Sequence, residues 1–172
     1  MTKIELRKEL LQKRSQMTDE DVISKSRIIC NKVRLDIRYR EANTVALFYP
    51  MGKEVNLLDL LNDDKIFLFP RVEKDGLHFY RYSKDIHMVK SKFGVMEPTG
   101  EISCDTGIDY MLTPALAISK DLYRIGYGKG YYDQFLSKYR PKTVVGVIYD
   151  SLNKITFNHE DHDQKLDDVI EG

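Results

Sequence analysis

Four short apolar runs, at 44–49 (TVALFY), 65–69 (KIFLF), 110–113 (YMLT) and 143–149 (TVVGVIY), constrain this chain most. Each is strand length, and each is bounded by Pro, Gly or charged residues, so each reads as a buried strand. Between them lie stretches with helical spacing. Asp75-Gly76 marks a hairpin turn into the alternating segment 77–82. Strands alternating with helices predict an α/β chain: a single three-layer α/β/α domain over 1–172 with a mixed, mostly parallel central sheet. No internal repeat, linker or low-complexity tract interrupts the pattern.

Two helices are expected at the start, over 2–16 and 18–40. Thr2 and Glu5 have capping-box spacing, and Thr18 is a candidate N-cap. Lys3, Arg7 and Arg14 share one face of the first helix, which is either a solvated basic face or an anion contact. An apolar helix is expected over 55–61. Glu54 just before it either complements that helix dipole or receives a ligand's donors. The stretch 83–107 reads as polar and irregular. A further helix is expected near 130–138, and the tail is acidic, with Glu160, Asp161, Asp163, Asp167, Asp168 and Glu171.

The 172 residues carry 27 Lys+Arg and 27 Asp+Glu. A balanced charge gives no general attraction to nucleic acid or to an anionic membrane. No apolar run approaches the ~18 residues of a membrane helix, and the charged N-terminus is unlike a signal peptide. A cytoplasmic monomer acting on a small molecule is expected. The two cysteines, Cys30 and Cys104, form no CxxC pair, which leaves zinc and dithiol chemistry unsupported.

Any positive field must be local, and one further stretch offers it. Arg124-Ile125-Gly126-Tyr127-Gly128-Lys129-Gly130-Tyr131-Tyr132-Asp133 carries three alternate glycines, two cations, three tyrosines and an acid. Such a backbone can approach a ligand closely and turn its N–H groups inward, as a polyphosphate requires. The spacing is neither the dinucleotide fingerprint nor a P-loop. A plain strand-to-helix turn would not need these neighbours.

The run YRIGYGKGYYDQFL resembles the R-L-G-x-G-x-G-Y-Y-D-x-x-L signature of the 5-formyltetrahydrofolate cyclo-ligase (5,10-methenyltetrahydrofolate synthetase) family. The resemblance extends along the chain through K-x-x-L-R at Lys3, Leu6 and Arg7, F-G-x-x-E-P at Phe93–Pro98 and a C-terminal D-x-x-x-D. It implies ATP- and magnesium-dependent conversion of 5-formyltetrahydrofolate to 5,10-methenyltetrahydrofolate. It further implies ATP contacts from Lys3, Arg7, Arg124, Gly126, Gly128, Lys129, Gly130, Tyr131 and Tyr132, with Arg124 and Lys129 catalytic. Tyr49, Glu54, Tyr127 and Tyr131 would contact the folate, one of Tyr131 and Tyr132 being mainly packed. Asp133 and Asp167 would hold Mg2+. The chain departs from the family at Ile118 and Ser119, where an aromatic and Asp or Asn are usual, and at Leu122-Tyr123, where a Gly usually precedes the Arg. A nucleotide- or folate-binding module, a kinase of another small metabolite and a nucleic-acid protein using the 3–14 helix are the rival readings.

Overall fold

The computed structural model describes residues 2–150 and 155–172. Strands β1 (Thr44–Ala46), β2 (Ile66–Glu73), β3 (Gly76–Arg81), β6 (Tyr110–Pro114), β9 (Thr143–Ile148) and β10 (Asp168–Glu171) form the central sheet. Its order is β10-β9-β6-β1-β2-β3. All neighbours run parallel except the expected β2–β3 hairpin, whose turn is Lys74-Asp75, one residue earlier than expected, with Gly76 already paired to Glu73. Outside the sheet lie a hairpin of β4 (Met88–Lys90) and β5 (Met96–Pro98), and a ribbon of β7 (Ala117–Ile118) and β8 (Arg124–Ile125).

Successive strand residues point to opposite faces, and the buried side chains sort accordingly. Val45, Phe67, Phe69, Tyr110, Leu112, Val145 and Val147 pack with Ile29 and Val33 of α2 (Asp19–Leu35). Ala46, Leu68, Met111, Val144 and Ile148 pack with Phe135 and Leu136 of α4 (Tyr131–Lys138). Helices thus cover both faces of a mixed α/β sheet. A third, smaller cluster joins Leu10 of α1 (Lys3–Ser15) to Leu116, Ala117 and Ile125, which seats α1 on the ribbon that leads into the glycine loop.

Capping boxes start α1 at Thr2/Glu5 and α2 at Thr18/Asp21. The helix expected over 18–40 divides at Asp36. This residue is extended (ψ 119°) and caps α3 (Ile37–Glu41) through the Arg38 amide, 3.0 Å away. An Asp that can hydrogen-bond the backbone locally competes with helix continuation. The apolar run 55–61 yields only a 3-10 turn, Leu58–Asn62, because Asn56 Oδ1 accepts the Leu58 amide at 3.0 Å. The 83–107 stretch contains β4 and β5. Arg71 fastens this region to the sheet by donating to the carbonyls of Pro98 (3.1 Å) and Gly100 (2.8 Å). The acidic tail returns as edge strand β10 because Leu166 and Ile170 are buried against the sheet.

The departures from the family pattern find their places in the 117–125 ribbon. Leu122 has φ 67° and is the one left-handed non-glycine among the described residues. That conformation costs an L-residue about 1–2 kcal/mol. It is held by Leu122 N–H to Ser119 O (3.0 Å), by Leu166 N–H to Leu122 O (2.8 Å) and by packing against the second core. Ser119 tightens the same turn, its Oγ accepting from Tyr123 N–H at 3.2 Å.

Candidate active site

Beyond the carboxyl ends of β1 and β6, where ligands collect in sheets of this type, lies a cavity of about 660 Å³. Its walls are the start of α1, the segment after β1, the β4–β5 hairpin, the glycine loop and the chain near Asp163. The ladder of β1 ends at Ala46, short of the expected 49, and this frees Phe48 and Tyr49 to turn toward the cavity.

The glycine loop forms the densest wall. Arg7 of α1 donates from Nε to Gly126 O at 2.9 Å. Gly128, at φ +92°, passes so close to Arg7 that a Cβ would lie 3.2 Å from its Cζ. Arg124 donates to Pro114 O at 3.0 Å, and its guanidinium lies 5.0 Å from the Tyr132 ring centre. Its surface is partly open, yet protein encloses it. Burial pulls its pKa down, against the opposing fields of Asp133, Tyr132, Tyr127 and Glu54. Lys129 stands at the rim, its ammonium 5.1 Å from the Phe93 ring. Gly130 leads into α4, whose first turn carries Tyr131, Tyr132 and Asp133. Both tyrosines line the cavity and both pack against the second core.

Glu54, from the segment after β1, adjoins this loop and is only 7% exposed. Its Oε1 accepts the Met51 amide at 2.7 Å, and its Oε2 accepts the Tyr127 hydroxyl at 2.9 Å. Burial pushes the Glu54 carboxyl up, countered by those two hydrogen bonds and by the charges of Arg14 and Arg124. Tyr127 in turn accepts from Arg14 Nη2 at 2.9 Å. Burial also raises the Tyr127 phenol, so it remains a hydrogen-bond donor at neutral pH.

The two acids expected to hold the metal stand in different places. Asp133 lines the cavity and uses Oδ1 to accept the Gln164 amide at 3.0 Å, which leaves further carboxylate lone pairs for a cation. Asp167 is a correction. It lies outside the cavity lining, with Oδ2 accepting the Val144 amide at 2.8 Å and Oδ1 paired to Arg140 at 3.1 Å. The tail acids that reach the cavity are Glu160 and Asp163, 3.4 and 2.9 Å from Lys3 Nζ; Asp163 is the more buried and lies four residues before Asp167. Position alone did not separate the two, because which acid points inward depends on how the tail joins β10.

Lys3, Arg7, Tyr49, Glu54, Arg124, Gly126, Tyr127, Gly128, Lys129, Gly130, Tyr131, Tyr132 and Asp133 therefore share one cavity. Glu97 also lines it, but its Oε2 is engaged by the Val72 amide at 2.8 Å. Arg71 is committed to the hairpin carbonyls and to stacking over Tyr80 at 3.7 Å. Sequence reasoning missed Asp163, Phe48 and the bond from Arg14 to Tyr127; the seven-residue step from Arg7 to Arg14 was the available signal for the last.

The family model of the 5-formyltetrahydrofolate cyclo-ligase family matches residues 1–172. The chain belongs to this family. Its members are ligases, and the chain is 31% identical over 172 residues to the 5-formyltetrahydrofolate cyclo-ligase of Mycoplasma genitalium, covering 96% of this chain and 94% of that one. The mouse 5-formyltetrahydrofolate cyclo-ligase is 25% identical over 185 residues, 96% of this chain and 91% of its own. Among solved structures, the 5,10-methenyltetrahydrofolate synthetase of Aquifex aeolicus superposes with a TM-score of 0.88 at 28% identity, covering 99% of this chain and 90% of that one. The chain thus shares both the family's sequence pattern and its fold. No helix among the described residues is long and apolar enough to cross a membrane.

Proposed function

We propose that this protein converts 5-formyltetrahydrofolate to 5,10-methenyltetrahydrofolate, consuming ATP with Mg2+. One observation carries the reading: a buried carboxylate and a cation-flanked glycine loop face the same cavity. Glu54 accepts hydrogen bonds already and has lone pairs left for the 2-amino and ring N–H groups of a pterin. Tyr49, Tyr127 and Tyr131 supply aromatic surface beside it. In the same cavity, Lys3, Arg7, Arg124 and Lys129 and the backbone of Gly126, Gly128 and Gly130 fit the phosphates of a nucleotide.

Asp133 fits a magnesium site, since Mg2+ takes oxygen ligands and is often held by one or two carboxylates with phosphates and waters. Bound ATP would supply a phosphoryl group to the N5-formyl oxygen, so that N10 can close the ring as phosphate departs. The chain's own task is positioning and charge stabilisation. Glu54 orients the pterin, the loop aims the formyl oxygen, and Arg124 and Lys129 meet negative charge spread over the transferring group.

The near-ultraviolet absorbance of the methenyl product, followed with and without ATP, tests the reading. Absorbance that grows only with ATP supports it. Folate or nucleotide binding without that absorbance would replace it with a binding module. Lys129→Ala should lower turnover by about 10²-fold at an almost unchanged melting temperature, because Lys129 sits at the rim and packs little.

A further inference from the structure

Helix α1 grips the glycine loop at two points one heptad apart. Arg7 holds the loop backbone at Gly126 O, and Arg14 holds the Tyr127 hydroxyl. Residues seven apart lie on the same helix face, so one helix edge fixes both the backbone and the side chain of the loop. Arg14 is 8% exposed. A buried guanidinium is normally set against a carboxylate, yet here the hydrogen bond goes to a neutral phenol. The phenol donates its own hydrogen bond to Glu54 Oε2, which gives the chain Arg14 Nη2–H to Tyr127 Oη–H to Glu54.

We infer that Arg14 is a positioning residue for the folate half of the reaction: acting through the Tyr127 hydroxyl, it holds Glu54 as an aimed carboxylate and makes that aim depend on the glycine loop. This rests on the proposed role of Glu54 as the pterin acceptor. The physical need is plain. An acid this buried would otherwise take up a proton and lose half its accepting capacity. The charges that act at Glu54 are those of Arg14 from α1 and Arg124 from β8, while the neutral phenols of Tyr127, Tyr132 and Tyr149 lie within reach of its own field. Only Arg14 acts along a hydrogen bond that runs through the loop. The phosphate-facing segment and the folate-facing acid are therefore mechanically joined: Tyr127 sits between Gly126 and Gly128, so whatever orders that backbone also orders the Glu54 partner.

The test uses Arg14→Met, Arg14→Lys, Tyr127→Phe, Glu54→Gln and the double variant of Arg14→Met with Tyr127→Phe. For each, kcat/KM for 5-formyltetrahydrofolate and KM for ATP are measured from about pH 5 to pH 9, a span covering perturbed carboxylates. An ionised Glu54 gives an acid limb on which activity rises with pH. Losing the cation or the hydroxyl removes stabilisation of the charged form, so the limb moves to higher pH by about one unit. Folate KM at neutral pH should rise about tenfold for a lost hydrogen bond to charge, while ATP KM changes by less than about twofold. Arg14→Lys should restore part of the shift. The double variant should be no worse than the worse single one, because both cut the same chain.

An unmoved acid limb in Arg14→Met, with only a lower melting temperature, overturns the role. So does an equal loss in both KM values. Should Arg14→Met fail to fold, Tyr127→Phe decides, since it deletes a single hydroxyl. Glu54→Gln separates the two levels: unchanged folate KM there sinks the pterin assignment itself, whereas a raised folate KM beside an unmoved Arg14→Met limb sinks only the positioning role.

Discussion

Substituting Gly126 by Ala tests the active site with little disturbance of the fold. A Cβ at Gly126 would stand 2.5 Å from Arg124 Nη2 and 3.2 Å from its Cζ. Ordinary contact begins near 3.4 Å, so the guanidinium must recede by about 0.9 Å. It has little room to do so without loss, being held by Pro114 O at 3.0 Å and backed by the Tyr132 ring at 5.0 Å. A misplacement of about 1 Å in a positioning group costs roughly 10²-fold in rate, or about 2.7 kcal/mol of barrier. Stability should move far less. Losing the Arg124–Pro114 hydrogen bond costs about 1 kcal/mol, and the smaller freedom of the unfolded chain returns about 0.4–1 kcal/mol. The melting temperature should therefore fall by no more than about 2–4 °C. The assay is ATP-dependent methenyl absorbance at saturating folate and nucleotide, with thermal unfolding in parallel. Turnover within about threefold of wild type, where 10²-fold is expected, would show that Arg124 is not needed where it stands.

Two further perturbations follow from the acids and the hairpin. Asp133→Asn should raise the magnesium concentration for half-maximal rate by about tenfold or more, whereas Asp167→Ala should leave it unchanged and lower stability by about 1–3 kcal/mol through the stranded Val144 amide; a magnesium titration with calorimetry distinguishes them, and the reverse pattern would restore Asp167 to the site. His78 sits between Asp105 Oδ2 (2.6 Å) and Asp75 Oδ1 (2.7 Å), with Glu73 Oε2 at 3.6 Å. The Asp105 hydrogen bond leads in raising its pKa, despite some desolvation. A raised folded value means that the stabilisation is full below the unfolded histidine value of about 6.5 and fades as pH rises through the folded one. The gap in melting temperature between wild type and His78→Asn should accordingly be widest in acid and close toward alkaline pH; a constant gap would refute the ion-pair account. Asp105 carries most of the effect, because its side chain is 8% exposed against 69% for Asp75.

Much of this protein was legible where the chemistry is local. Strand cores followed from apolar runs, because residues on a sheet covered on both faces are buried on both sides. The starts of α1 and α2 followed from Thr2 and Thr18, since a cap acts within three residues of itself. The glycine loop announced itself by composition. Local rules also misled. The apolar run 55–61 obeyed a local turn, in which Asn56 Oδ1 accepts the Leu58 amide, instead of its helical pattern, and α2 stopped at Asp36, whose side chain likewise accepts a nearby backbone amide.

What only the tertiary structure decided is which distant residues meet. Arg14, Glu54 and Tyr127 come from a helix, a turn and a loop, and no spacing in the chain encodes their hydrogen bonds. Asp163 and Asp167 look alike in sequence. Once β10 pairs with β9, Asp167 is held at the sheet by Val144, and Asp163 is left facing Lys3. Hydrogen-bonding groups find local partners within a few residues, but partners more than a hundred residues apart are chosen by sheet order and strand register, which exist only after the chain has folded.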